Sequence, residues 1–299
     1  MLRGDSTTNK DDSRSIQCIL RDKISIVAPR CTDNNNDECK EKQDSIEQSI
    51  AIVASNGSRN VSFFELWSAA GYIAHKLKTK CGVQPNDRIG IVIPNGSVTT
   101  SYILAMMGVL YCGGVYVPIA ISSTKSGNVV KSILDMAGCV AVIDLRSCED
   151  SISQEKNGYI SLTTPAHTNN NNPYHDLGWG GPCLRLEPLV FLLDQIKAES
   201  SSSSSSTTKI TYPYQHAFHE GSRQDEACLL FTSGSTGTPK GVILTHEGIL
   251  CRINWSARTY PMIQEEDTIL CHLAATTLGG TMLPLTGLTQ GCSIFIATP

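Results

Sequence analysis

"LLFTSGSTGTPKGVILTHEGIL", Leu229–Leu250, places a loop rich in glycine and hydroxyl groups between two short apolar runs. Glycines at 234, 237 and 241 permit backbone conformations closed to other residues. They also let main-chain N–H groups approach a ligand, and successive N–H groups in such a turn form an anion-binding concavity. Thr232, Ser233, Ser235, Thr236 and Thr238 add short hydroxyl donors, and Lys240 adds a point charge behind Pro239. The combination suits a polyanion, above all a triphosphate. It is not a Walker A loop. Counted from Gly234, the second glycine position of that motif holds Pro239, and Gly241 stands where serine or threonine should follow the lysine. Apolar "VIL" follows directly, so the loop leads into a strand rather than a helix.

Outward from the loop, "EACLLFTS" reads as a buried strand and "GVILT" as a second. "HEGILCRINWSARTY" fits a helix capped by Thr245, with Glu247 in its first turn. "DTILCHLA" predicts a strand, "LGGTMLPLTGLTQG" a helix interrupted by Pro284, and "CSIFIATP" a last strand. Upstream, regular structure is expected from Ser62. Phe63, Leu66, Trp67, Ala70, Ile73, Ala74 and Leu77 have helical spacing, with Ser62 and Glu65 as a capping box and Gly82 at the C-terminal end. "DRIGIVIPNG" is a strand closed by a turn, "SVTTSYILAMMGVLYCGG" a helix, and "VYVPIA" a strand. "SGNVVKSILDMAGCVAVID" supplies a further helix and strand. Strands alternating with helices at this pitch predict an α/β fold: parallel-sheet layers with helices on the faces, and ligands at the carboxyl ends of the strands.

The 299 residues are 40% hydrophobic and 17% charged, enough apolar material for a sizeable core. A net charge of −4 and the lack of a lysine/arginine block argue against nucleic acid and against an anionic membrane surface. No apolar run is long enough to predict a membrane span. The polar start "MLRGDSTTNKDDSRS" has no secretory h-region, so the twelve scattered cysteines read as reduced thiols and the location as cytoplasmic, with peroxisome or plastid left open. Residues 1–44 are expected to form a loosely ordered N-terminal arm with one short helix. Residues 45–299 form the main body, broken at about 147–223 by a surface excursion. That excursion holds a serine run expected to be disordered, and "LEPLVFLLDQI" is its one stretch with an ordered look.

"FTSGSTGTPKGVILTHEGIL" resembles the phosphate-loop signature of the adenylate-forming (AMP-dependent synthetase/ligase) superfamily. That group comprises acyl-CoA synthetases, adenylation domains of peptide synthetases, and luciferases. "VSFFELWSAAGYIAHKL" and "DRIGIVIPNGSVTTSYILAMMGVLYCGGVYVPI" are similar to its two upstream core motifs, so the likeness runs from about Ser45 to Pro299 apart from the excursion. "Phe-Glu-Leu" and "Tyr-Val-Pro-Ile" lie nearer to amino-acid adenylation domains, with a lean toward plant-type acyl-activating or β-alanine-activating relatives. The resemblance implies a ligase that activates a carboxylic acid with ATP and Mg2+ through an acyl-adenylate, releasing pyrophosphate. It then passes the acyl group to the thiol of coenzyme A or of a carrier protein's phosphopantetheine. It assigns Thr232, Ser233, Gly234, Ser235, Thr236, Gly237 and Lys240 to the triphosphate loop, with Lys240 as the catalytic cation. Which hydroxyl meets the metal stays open.

Departures from the family are equally specific. Aligned on Gly279, Thr276 occupies the position where fatty-acyl members carry histidine, and the aspartate of amino-acid-activating members is not visible nearby. His272 lies a few residues early and reads as a strand residue. The family's adenine-binding segment, ribose motif, hinge and C-terminal lysine domain fall beyond Pro299. The expectation is therefore an incomplete large N-terminal domain, inactive by itself, with its last strand left as an unpaired edge and with poor solubility. The alternative is a catalytically incomplete nucleotide-binding or interaction module produced by truncation. His216 and His219, beside Glu220, have the spacing of a helical metal pair, although a solvated loop explains them better. Asp144 reads as a strand-end cap.

Overall fold

The computed structural model describes residues 14–27, 50–54, 60–121, 127–146, 162–163, 179–186, 214–232, 239–259 and 267–297. These form a mixed α/β architecture with two sheets. The larger is built on β3 (Arg88–Pro94), β4 (Val115–Ile121), β5 (Ala141–Asp144) and β8 (Glu226–Thr232). Its order is completed by β6 (Leu162–Thr163) and β7 (Cys183–Arg185) on one side and β9 (Lys240–Thr245) on the other: β6-β7-β5-β3-β4-β8-β9. The five inner strands are parallel, and β6 and β9 add antiparallel edges.

Helices between the parallel strands begin where the sequence places them. α2 (Phe63–Cys81) follows β2 (Val61–Ser62), and its capping box closes both ways. Ser62 Oγ accepts from the Glu65 amide at 3.2 Å, and the Glu65 carboxylate accepts from the Ser62 amide at 3.1 Å. Gly82 ends it at φ +70, a left-handed conformation natural to glycine. α3 (Thr100–Tyr111) is capped by Thr99, whose side chain accepts from the Tyr102 amide. α4 (Gly127–Ala137) leads into β5.

Side-chain alternation along the strands separates two cores. Ile89, Ile91 and Ile93 of β3 join a large cluster with α2 and α3, whereas Val92 joins Val130 and Leu134 of α4 on the opposite face. Helices thus cover both faces of this sheet. The large cluster also reaches the second sheet through Ile52, Ile294 and Ile296.

That second sheet has the order β10-β11-β1-β2, with β1 at Ile50–Ala54, β10 at Thr268–Cys271 and β11 at Ser293–Ile296. It corrects two expectations. The strands of the main body begin with β1, ahead of Ser62. The last strand is not an edge, because β11 lies between β10 and β1 and pairs in parallel with both. Among the described strands the edges are β10 and β2 in the small sheet and β6 and β9 in the large one, and on β9 Val242 and Ile243 keep 45% and 48% of their surface accessible.

Three more expectations are revised. The helix of the N-terminal arm is α1 (Ile16–Val27), and over residues 14–23 the arm is docked rather than loose. Ile16 and Leu20 are fully buried in the main core, and Gln17 reaches back to the carbonyls of His219 and Glu220. The excursion is not wholly superficial. "CLR" forms β7 on the large sheet with Cys183 and Leu184 buried, and a 3-10 turn at Gln215–Ala217 packs on α2. Finally, α6 (Leu278–Gln290) runs through Pro284 without a break. The serine run and the residues of "LEPLVFLLDQI" beyond Leu186 lie outside the described residues.

Candidate functional site

The opening loop joins β8 to β9 as a hairpin. Thr232 and Lys240 are register partners, and the Thr232 hydroxyl donates to the Lys240 carbonyl at 3.4 Å. Because β8 runs parallel to β4, the hairpin loop leaves the sheet at the carboxyl ends of its parallel strands. Thr232 and Lys240 are both exposed at the base of the loop. Ser233, Gly234, Ser235, Thr236 and Gly237 lie between them, outside the described residues. Behind the loop, the side chain of Thr245 caps α5 (His246–Thr259) by accepting from the Gly248 amide at 3.2 Å.

Other connections lie along the same sheet edge. After β3 the chain turns through Asn95 and Gly96, at φ +55 and +69, and the Asn95 amide donates to the Ile121 carbonyl at the end of β4. Ser97 bridges to Ala274, and the Ala275 amide donates to the Gly96 carbonyl at 2.8 Å. The 272–277 segment is thereby fastened beside the end of β3. Thr277 shapes its exit: its hydroxyl donates to the Ala274 carbonyl at 2.7 Å and accepts from the Gly280 amide at 3.1 Å, starting α6. A side chain at position 280 would place its Cβ 2.0 Å from the Ala274 carbonyl oxygen, so only glycine permits this close return. The sequence identified the turn after β3 but gave no sign that it would meet residues 274–275.

Asp144, at the end of β5, is fully buried and held by Arg146 through contacts of 3.0 and 2.9 Å. It is a structural cap. His216 and His219 do not form a metal pair. His216 Nε2 lies 2.9 Å from His75 Nδ1 on α2, while the His219 ring packs over Gly113. Among the described residues, no three His, Cys, Asp or Glu side chains converge on a possible metal position. No disulfide joins the nine cysteines among them. No described helix is long and apolar enough to cross a membrane.

His246 begins α5 and is 2% exposed. Its Nδ1 accepts from the Ile16 amide at 3.3 Å, which fixes the neutral tautomer with hydrogen on Nε2. Burial lowers its pKa to about 4, against a smaller opposing effect from Asp225.

Residues 40–299 match the model of the AMP-binding enzyme family. The chain belongs to that family. The anguibactin system regulator of Vibrio anguillarum is 28% identical over 207 residues, covering 69% of this chain and 15% of the regulator. Tyrocidine synthase 1 of Brevibacillus parabrevis is 26% identical over 210 residues, 70% of this chain and 15% of the synthase. A component of the mycosubtilin synthase of Bacillus subtilis is 28% identical over 228 residues, 76% and 7% respectively. The chain therefore spans a small part of these relatives.

Among solved structures, the nonribosomal peptide synthetase FmoA3 superposes with a TM-score of 0.62 at 19% identity, over 95% of this chain and 23% of that one. VinN in complex with L-aspartate gives 0.62 at 18% identity, over 96% and 58%. These likenesses concern the fold. In this member of the family, His272 stands exposed just past β10 and Thr276 is half-buried in the segment leading to α6.

Proposed function

We propose that this chain supplies the triphosphate-binding part of an enzyme that activates a carboxylic acid with ATP. The carboxylate oxygen bonds to the α-phosphorus, the bond from that phosphorus to the bridging oxygen breaks, and pyrophosphate leaves. Attack by a thiol on the acyl-adenylate then gives a thioester and AMP. Donors aimed at the departing diphosphate would stabilise the negative charge that grows on it. Lys240 and the Thr232 hydroxyl belong to that set, with Ser233, Gly234, Ser235, Thr236 and Gly237 between them.

Magnesium arrives with the nucleotide, since this ion commonly binds through phosphates plus a few protein oxygens. The short hydroxyls of the loop fit such a role, and Thr232 already stands at its base. The ion supplies charge neutralisation, while the chain orients the triphosphate.

The single observation that carries the reading is the position of the hairpin. A loop of glycines and hydroxyls with one lysine leaves β8 at the carboxyl edge, where ligands of parallel α/β sheets gather. The FmoA3 structure with AMPPNP and the VinN complex with L-aspartate support ATP and an amino acid as first candidates. The peptide synthetases among the relatives support a carrier-protein phosphopantetheine over coenzyme A as acceptor.

The test is acid-dependent exchange of pyrophosphate into ATP across amino, aryl and aliphatic acids, using the product of the whole reading frame that contains these residues. Exchange with one acid class supports the reading. Nucleotide binding without exchange for any acid would leave the incomplete binding module as the correct description.

A further inference from the structure

His216 does not pair with His219, yet it meets another histidine. From the 3-10 turn Gln215–Ala217 its Nε2 comes within 2.9 Å of Nδ1 of His75 on α2, across 141 residues of sequence. The two rings are nearly perpendicular, at 83°, with centroids 4.9 Å apart. His75 is half-buried and His216 is exposed, so the contact lies at the surface.

The turn that carries His216 is anchored on both sides. Tyr214, just before it, holds a left-handed backbone at φ +69, a conformation uncommon and costly for a bulky residue. Its ring stacks on His75 with centroids 5.3 Å apart and planes 26° apart, and Tyr72 meets it edge-on at 5.4 Å. Phe218, just after the turn, packs against Trp67 and Tyr111. Lys76, the cation next to His75, is engaged over the Tyr72 ring at 4.6 Å. The two imidazoles are thus brought together by packing on either side of them.

A hydrogen bond between two imidazoles needs one nitrogen that carries hydrogen and one that does not, so at least one ring is neutral. When both are neutral, the donor ring can pass its hydrogen, through solvent, to its other nitrogen. Two lone pairs then stand side by side, with no net loss of a proton. Nitrogens bonded to one ion at about 2.0–2.1 Å lie about 2.9 Å apart in cis positions of a square plane and about 3.4 Å apart in a tetrahedron. The observed spacing matches the first and is within about 0.5 Å of the second, so a small tilt of each ring suffices. Imidazole suits Cu2+, Ni2+ and Zn2+, whereas Mg2+ takes oxygen ligands.

We propose that His75 and His216 form a surface site for a divalent transition-metal ion, with water completing its coordination. This site is separate from the magnesium of the nucleotide and does not depend on the acid-activation reading. It joins α2 to a segment that already receives the N-terminal helix, since the Glu220 carbonyl accepts from the Gln17 side chain and from the Cys18 thiol, each at 3.2 Å. The same segment leads into β8. A bound ion therefore staples α2 to the approach to β8.

The experiment titrates this chain with NiCl2 and with ZnCl2, with MgCl2 as the control, by calorimetry and by thermal unfolding. The expected result is one Ni2+ or Zn2+ per chain, a Tm that rises with either ion, and no response to Mg2+. His75→Gln and His216→Gln should each lower the affinity at least tenfold, and the double variant should bind no more weakly than either single one. His272→Gln, at another exposed histidine, should bind as the parent does. Absence of binding by the parent, or equal affinity in the parent and the double variant, overturns the proposal. One ion per two chains would place the ion between copies and overturns it too. Each glutamine variant also loses the imidazole contact, so its Tm without metal is measured. Where a variant is destabilised, the electron paramagnetic resonance of the parent with less than one equivalent of Cu2+ decides. Hyperfine splitting from two imidazole nitrogens is expected, and splitting from one or none contradicts the pair.

Discussion

Lys240 is exposed at the base of the loop. Removing it should spare the fold and weaken phosphate binding. A charge-assisted contact contributes about 1.5–3 kcal/mol, so Lys240→Ala is expected to weaken Mg-ATP binding at least tenfold with Tm unchanged. Calorimetric titration and thermal unfolding of the same samples check both halves. His246 gives a second residue-scale prediction. Its folded pKa is depressed to about 4, so the folded protein resists a proton that the unfolded chain accepts below about 6.5. The stability it contributes is complete above about pH 6.5 and is lost as pH falls toward 4. Tm measured across that window should decline, and the decline should flatten in His246→Gln. An equal slope in both proteins would assign the acid sensitivity elsewhere. At this scale the sequence pointed to the hydroxyls and the lysine by type and order alone. It was silent on His246, because the partner amide at Ile16 lies far away in the chain.

α2 was legible to its ends because its signals are local. Ser62, Glu65 and Gly82 sit within a turn of the groups they satisfy, and each does what its position implies. Ser62→Ala should cost about 1 kcal/mol, read as a fall in Tm of a few degrees, with α2 otherwise intact. β1 and β7 were not legible. Each is short, and each is a strand only because a distant partner completes it: β11 for β1, and β5 for β7. The same reason placed the exposed edge wrongly. From pattern alone the last strand looked unpaired, whereas it is β9 that presents Val242 and Ile243 to solvent beyond β8. An exposed apolar edge invites pairing between copies. Ile243→Lys should therefore raise the soluble, monomeric fraction in sedimentation or light scattering, while a change at Ile294 within the small sheet should lower stability instead.

For the whole molecule, the alternation of strands and helices was enough to predict parallel layers and the edge at which a ligand belongs. It could not divide the strands between two sheets, since β1 and β11 are more than two hundred residues apart in sequence. Nor could it predict that the 272–277 segment would be drawn to the end of β3 through Gly96 and Ser97. That convergence brings the 272–277 segment to the same sheet edge that carries the β8–β9 hairpin. On the function proposed above, this hairpin grips the phosphates of ATP. The direct measurement is titration of this chain with Mg-ATP and with inorganic tripolyphosphate, in the parent and in Lys240→Ala. Both ligands are expected to bind the parent, compete with each other and weaken together on loss of the lysine. Binding of Mg-ATP that tripolyphosphate does not displace, and that Lys240→Ala leaves unchanged, would contradict it.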